Sequence, residues 1–146
     1  MAASNAKNRK GAKGNALPAG VTVKNSANGD REYTTEVAGT PIAFRVEATT
    51  GDANGEVLFA VGGSMNRTGQ LQGSDATRAA VKVLGIMRHD AKSRPDGFVY
   101  SLYPRNSDGF GKERRQIYEK IGFSSNSGSQ YQYAIVRNGK LEPHTP

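Results

Sequence analysis

The stretch from Phe98 to Phe123, FVYSLYPRNSDGFGKERRQIYEKIGF, constrains what this chain can fold into more tightly than any other part of it. Phe98 to Tyr103 is a run of β-branched and aromatic residues, which reads as a strand. A turn around Asp108 and Gly109 follows, and the residues from about Gly111 to Ile121 form a short basic helix with Ile117, Tyr118 and Ile121 expected to face inward. The ending is a packing device. Gly122 can take the left-handed conformation that closes a helix, and Phe123 can then fold back against the last helical turn.

At 146 residues the chain suits one domain with a proper core. It has no cysteine, which excludes disulfides, thiolate metal clusters and a cysteine nucleophile, and its two histidines are too few for a histidine-built metal site. No apolar run approaches the roughly twenty residues that span a bilayer, and the N-terminus lacks the apolar stretch of a signal peptide, so the chain reads as soluble with no membrane partner. Lys7, Arg9, Lys10, Lys13 and Lys24 all precede the first acid, Asp30, so most of the formal charge of +7 belongs to the leading segment.

Residues 1–20 are rich in Ala, Asn, Gly and Lys, with too little apolar surface to offset the entropy of ordering, and are expected to form a flexible basic arm. Residues 21–146 form the folded domain. Val21 and Val23 open an edge strand, Asn28 and Gly29 turn the chain, and Glu32 to Val37 alternates as a half-buried strand. Gly39 turns the chain again into Pro41 to Ala48, where Ile42, Phe44 and Val46 share one face and Arg45 and Glu47 the other, giving an antiparallel hairpin. Thr50 to Gly55 is a loop and Glu56 to Val61 a more fully buried strand.

A long Gly-rich loop, GGSMNRTGQLQGSD, leads to the strongest helix signal. Ser74 or Asp75 is placed to cap it, and Ala76, Ala80, Val83, Leu84, Met87 and Ala91 fall on one face, with Lys82, Arg88 and Lys92 toward water. His89, beside Arg88 and Asp90, reads as a surface residue. Pro95, Asp96 and Gly97 end the helix, and Tyr131 to Val136 forms a closing strand before a turn at Asn138 and Gly139. The predicted order is β-β-β-loop-α-β-α-β. The expected fold is α+β, a mixed and mainly antiparallel sheet with two covering helices, preceded by the extended basic arm.

This order, and the YEKIGF ending in particular, resembles the last strand and helix of GNAT-type N-acetyltransferases, whose final helix commonly reads LYEKLGF. The resemblance implies a loop that holds the coenzyme A diphosphate at a helix N-terminus, where glycines admit the phosphates to free N–H groups and the helix dipole. The loop in that place here is Gln70, Leu71, Gln72, Gly73, Ser74, Asp75, Ala76. Gln70 and Gly73 match the family pattern, and Gln72 and Ser74 would complete a cofactor site for acetyl-CoA. The last pattern position is Asp75, a carboxylate that repels phosphate and competes for the same donors. Acetyl transfer also needs an acid and a base. Tyr118 aligns with the tyrosine that serves many family members as the acid, while packing against the sheet is its structural alternative. Glu56 and Glu47 are the plausible bases, and neither is placed by a motif. The Asp108, Gly109, Phe110, Gly111, Lys112 turn, with Arg105, Arg114 and Arg115 around it, is a weak phosphate motif, and a solvated basic connection is its alternative.

A narrower resemblance covers about residues 56–123. Thr68, Gly69, Gly73, Asp75, Ala76, Arg78, Arg114, Arg115 and Tyr118 are similar to the motifs of GNAT-like domains in tailed-phage virion proteins, in which the coenzyme loop is degraded. It implies a non-catalytic structural component of a bacteriophage particle without catalytic residues, cofactor or metal, found in the virion and, before assembly, in the host cytoplasm. Its partners would be other virion proteins, contacted by the domain and by Lys7, Arg9, Lys10 and Lys13 of the arm. The alternative is an acyl-CoA dependent N-acetyltransferase using Tyr118, Glu56 and the Gln70 to Ala76 loop. A second alternative is a nucleic-acid-binding protein whose arm neutralises phosphates.

Overall fold

Two tight turns frame the sheet in the computed structural model, which describes residues 17–61, 64–65, 73–104, 111–125 and 130–146. Ala38 and Gly39 have φ of 52° and 78°, and Asn138 and Gly139 have 53° and 74°. Left-handed backbone at both central positions matches the twist of the flanking strands, so each turn fixes a hairpin. The first joins β2 (Arg31–Val37) to β3 (Thr40–Ala48), with Val37 opposite Thr40 and Tyr33 opposite Phe44. The second joins β7 (Gln132–Arg137) to β8 (Lys140–Pro143). β8 lies beyond the last strand expected from the sequence, and its apolar content is a single Leu141.

The remaining elements are β1 (Thr22–Asn25), β4 (Gly55–Val61), β5 (Ser64–Met65), α1 (Gly73–Lys92), β6 (Val99–Leu102) and α2 (Gly111–Ile121). The sheet order is β1-β2-β3-β4-β6-β7-β8, with β5 pairing back onto β4. Every pairing is antiparallel except β4 with β6, which α1 connects as a crossover. A parallel pair requires such a crossover, because a two-residue turn cannot carry the chain back to the starting end. The fold is therefore α+β with a mixed, mostly antiparallel sheet and two helices.

Period-two alternation sorts the strands into two faces. Tyr33, Phe44, Val46, Val57, Tyr100, Leu102, Ala134 and Val136 form one face and join a single apolar cluster with Val83, Ile86, Met87 and Ala91 of α1 and Tyr118 of α2, against which Ile121 also packs. Both helices thus cover the same face. Each of these larger apolar side chains contributes about 1.5–3 kcal/mol by leaving water. The inward stripe of α1 runs through Ile86 and Asp90 as well as the expected Val83, Met87 and Ala91, while Leu84 is only half-buried. Ile117 of α2, expected inside, is 40% exposed. Tyr118 and Ile121, three residues apart, already occupy the inward side of this short helix, and Ile117 lies about 100° around from Tyr118.

The expected closure of α2 is present in full. Phe123 N–H donates to the Tyr118 carbonyl at 3.0 Å and Gly122 N–H to the Glu119 carbonyl at 3.1 Å, the paired bonds of a Schellman cap. Gly122 has φ of 127°, and a Cβ there would come within 2.9 Å of Leu141 Cβ. Phe123 is buried in the main cluster beside Tyr118. The α1 start differs from expectation. The helix begins at Gly73, so Ser74 and Asp75 lie inside its first turn rather than at the capping position.

The last residues of the arm rest on the body. Leu17 packs against the main cluster, and Lys82, expected toward water, donates to the Ala19 carbonyl at 2.6 Å. Thr35 Oγ1 donates to the Gly20 carbonyl at 3.1 Å. Lys7, Arg9, Lys10 and Lys13 lie outside the described residues.

Candidate functional site

Three places in the fold gather chemistry. The first is the carboxyl end of the parallel pair. β4 and β6 share only the pairs Gly55 with Tyr100, Glu56 with Ser101 and Val57 with Leu102. β6 ends there, while β4 runs on to Val61. The chain then enters α1, whose N-terminus opens at this end of the strands, the position at which open α/β sheets take ligands. Gly73 starts the helix and Ser74 is exposed. Asp75, read as a repulsive charge, forms an ion pair with Arg78 at 2.7 Å, which offsets part of that charge. Gln70 and Gln72 lie outside the described residues, as do Arg105 and the 108–110 turn before α2.

The proposed acid and base are kept apart. Tyr118 is buried in the cluster on the helix-covered face, whereas Glu56 stands on the other face, with Glu47 directly opposite it across β3 and β4. Glu47 is paired with Arg45 at 2.8 Å. The sheet itself separates Tyr118 from both carboxylates.

The second place was not foreseen. Asp90, in the last turns of α1, is completely buried. Its carboxylate accepts from Tyr33 Oη at 2.5 Å, Arg31 at 2.8 Å, Arg94 Nε at 2.9 Å and the Tyr100 hydroxyl. Burial alone would raise its pKa, but the hydrogen bonds from Arg94, Tyr100 and Tyr33 and the Arg94 charge outweigh it and hold the carboxyl below its usual range. Tyr33 and Tyr100 are pushed up by burial and then by the Asp90 charge, so both stay protonated. Arg94 also lies over the Phe98 ring, 4.6 Å from its centre. A buried ionised carboxylate needs this many donors. The network ties α1 to β2 and β6, and with Asp90, Tyr33 and Tyr100 all sealed it is a lock between layers rather than a site open to substrate. Next to it, His89 is half-buried and meets the Tyr33 ring edge-on at 6.1 Å, so it is not the surface residue its neighbours suggested.

The third place is on the opposite face, which neither helix covers among the described residues. The cross-strand row Glu56, Ser101, Tyr133 runs over β4, β6 and β7. With Thr49, Thr50, Asp52, Ala53 and Tyr131 it lines a shallow hollow of about 200 Å³. Tyr103, Tyr131 and Tyr133 form an aromatic series with ring centres 5.6 and 6.3 Å apart. Burial and then the Asp52 charge and Tyr131 raise the Tyr133 pKa, so its hydroxyl is also protonated. Of these residues only Glu56 was singled out in the sequence. The signal for the others was the alternation of Phe98 to Tyr103, in which a serine takes a position where its strand neighbours are apolar.

No helix among the described residues is long and apolar enough to cross a membrane, and no group of His, Cys, Asp and Glu among them could hold a metal ion. Comparison with models of known protein families, with curated proteins and with solved structures gave no match.

Proposed function

We propose that this chain works by binding, as a structural component of a bacteriophage particle, with a GNAT-like body and a basic arm that engage neighbouring virion proteins. The observation that carries the reading is the one-sided sheet. Both helices pack on one face, and the other presents Tyr103 and Tyr131, the half-buried Tyr133, and Asp52 and Glu56, which have no basic partner among the described residues, where a partner can reach them. Exposed aromatics set among polar groups are the usual anchors of protein interfaces. The phage assignment rests on the resemblance of residues 56–123 to degraded GNAT-like virion domains, and the arm supplies Lys7, Arg9, Lys10 and Lys13 for acidic neighbours. Replacing these cations with glutamine in the full chain, and separately Tyr103 and Tyr131 with serine, should deplete it from purified particles. Undiminished incorporation of both variants would refute the proposal.

A second reading, an acyl-CoA dependent N-acetyltransferase, is favoured by one observation. α1 starts at the carboxyl ends of a parallel pair whose ladder stops after Val57 and Leu102, so Gly73 and Ser74 offer helix N–H groups where a diphosphate would lie. Gln70 and Gln72 would complete that cradle. Acetyl-CoA would supply the acyl group. A ligand that binds only the native state raises the melting temperature by mass action, so no shift at millimolar acetyl-CoA would eliminate this reading.

A further inference from the structure

The hollow on the open face has a floor that its strands do not need. Ser101 is 6% exposed and its hydroxyl makes no hydrogen bond among the described residues, yet its oxygen is not sealed off, so the floor of the hollow offers a free polar atom. Beside it in register stand Glu56 and Tyr133, and Asp52 rises from the connection between β3 and β4. Neither Asp52 nor Glu56 has a basic partner among the described residues. The side chains that line the hollow thus combine two carboxylates, the Ser101 hydroxyl and the rings of Tyr131 and Tyr133.

That combination selects a cation. Carboxylates repel phosphate, whereas ammonium and guanidinium groups gain charge-assisted hydrogen bonds from carboxylates and electrostatic attraction from tyrosine rings. A hollow of about 200 Å³ is small for a cofactor and matches the head of one lysine or arginine side chain.

The chain carries such side chains in its own arm, where Lys7, Arg9, Lys10 and Lys13 are followed by no acid before Asp30. The arm is rooted on the helix side. Pro18 lies against Gly85 of α1, and Lys82 of α1 holds the Ala19 carbonyl. The hollow opens on the far side of the sheet from Leu17 and Pro18. Lys10 stands seven residues ahead of Leu17, an extended reach of up to roughly 25 Å, enough to cross to a neighbour.

We propose that the hollow formed by Asp52, Glu56, Ser101, Tyr131 and Tyr133 receives a lysine or arginine side chain from the basic arm of a second copy of this chain. The proposal rests on the assembly reading and names its partner. The test uses the full chain with Lys7→Gln, Arg9→Gln, Lys10→Gln and Lys13→Gln, which frees the hollow, titrated against a fluorescent peptide of residues 1–16. Saturable binding is expected, weakening with salt and falling at least about tenfold when Asp52→Asn and Glu56→Gln are added. The unaltered chain should associate with rising concentration in sedimentation, and the arm-substituted chain should not; this comparison leaves the body untouched and guards against misfolding of the hollow variants. Equal peptide binding by the Asp52→Asn, Glu56→Gln chain overturns the site. Peptide binding by a chain that stays monomeric overturns the second copy as donor, and displacement of the peptide by a single-stranded oligonucleotide reassigns the arm to nucleic acid. The two readings fail separately. If the peptide does not bind but arm substitution still depletes the chain from particles, this site falls and the assembly reading stands; if the peptide binds and incorporation is unchanged, the reverse holds.

Discussion

Asp90 and Ser101 are both polar, sit at 0% and 6% exposure, and lie on opposite sides of one sheet. Asp90 is surrounded by donors from β2, β6 and the turn that follows its own helix, while Ser101 has no partner among the described residues. Around Asp90 the hydrogen bonding is complete, and removing any participant leaves a buried group stranded, although His89 Nδ1 and Gln132 Oε1 on the same side of the sheet have no partner among the described residues. On the open face the Ser101 hydroxyl lies at the floor of the hollow with no such donors around it. At these two positions similar burial accompanies a closed network on one side and an open hollow on the other, and the partners of each polar group tell the two apart.

The largest test of that contrast is Asp90→Asn. It leaves Arg31 and Arg94 beside a neutral group and should destabilise the fold by about 3–5 kcal/mol in urea titration; a loss below about 1 kcal/mol would mean that the network does not hold the layers together. Titration sharpens the same point. Asp90 has a depressed folded pKa, so its stabilisation is complete above the ordinary carboxylate value near 4 and is lost as pH falls through the lower folded value. Tyr33 and Tyr100 have raised values, so their share is complete below about 10 and is lost as pH rises. Asp90→Asn should flatten the acid limb of a plot of melting temperature against pH, and an unchanged limb would assign it to other groups.

Next in size is Gly122→Ala, which places a Cβ 2.9 Å from Leu141 Cβ at a φ of 127°. Strain and crowding together should cost about 2–3 kcal/mol, read from the denaturation midpoint. Smallest is Ser101→Ala, which removes a hydroxyl with nothing to lose and should stay within about 0.5 kcal/mol of the unaltered chain. A loss comparable to that of Asp90→Asn would show that both faces are structural and erase the contrast.

The hairpin from β2 to β3, the face of β3, the helical stripe of α1 and the Gly122 closure were legible because each is set by neighbours in sequence. The Asp90 network was not, since Arg31 and Tyr33 lie 59 and 57 residues from it and an aspartate near a helix end ordinarily reads as solvated. One local clue existed: position 90 falls on the Val83, Ile86, Met87 stripe, where a carboxylate needs buried partners. β8 escaped because Lys140 to Pro143 has no alternation, though Asn138 and Gly139 form the turn that most strongly announces a returning strand. The hollow was half legible. Glu56 stood out as a carboxylate, but its company with Ser101 and Tyr133 depends on register across β4, β6 and β7.

The two margins of the sheet carry one more consequence. β1 and β8 are four residues long, β1 displays Lys24, and β8 ends in Pro143, which has no N–H to offer. Short borders marked by a cation and a proline resist ladder extension by another strand. Continuation of the hydrogen-bond ladder from one molecule to the next is therefore opposed at both borders of the sheet.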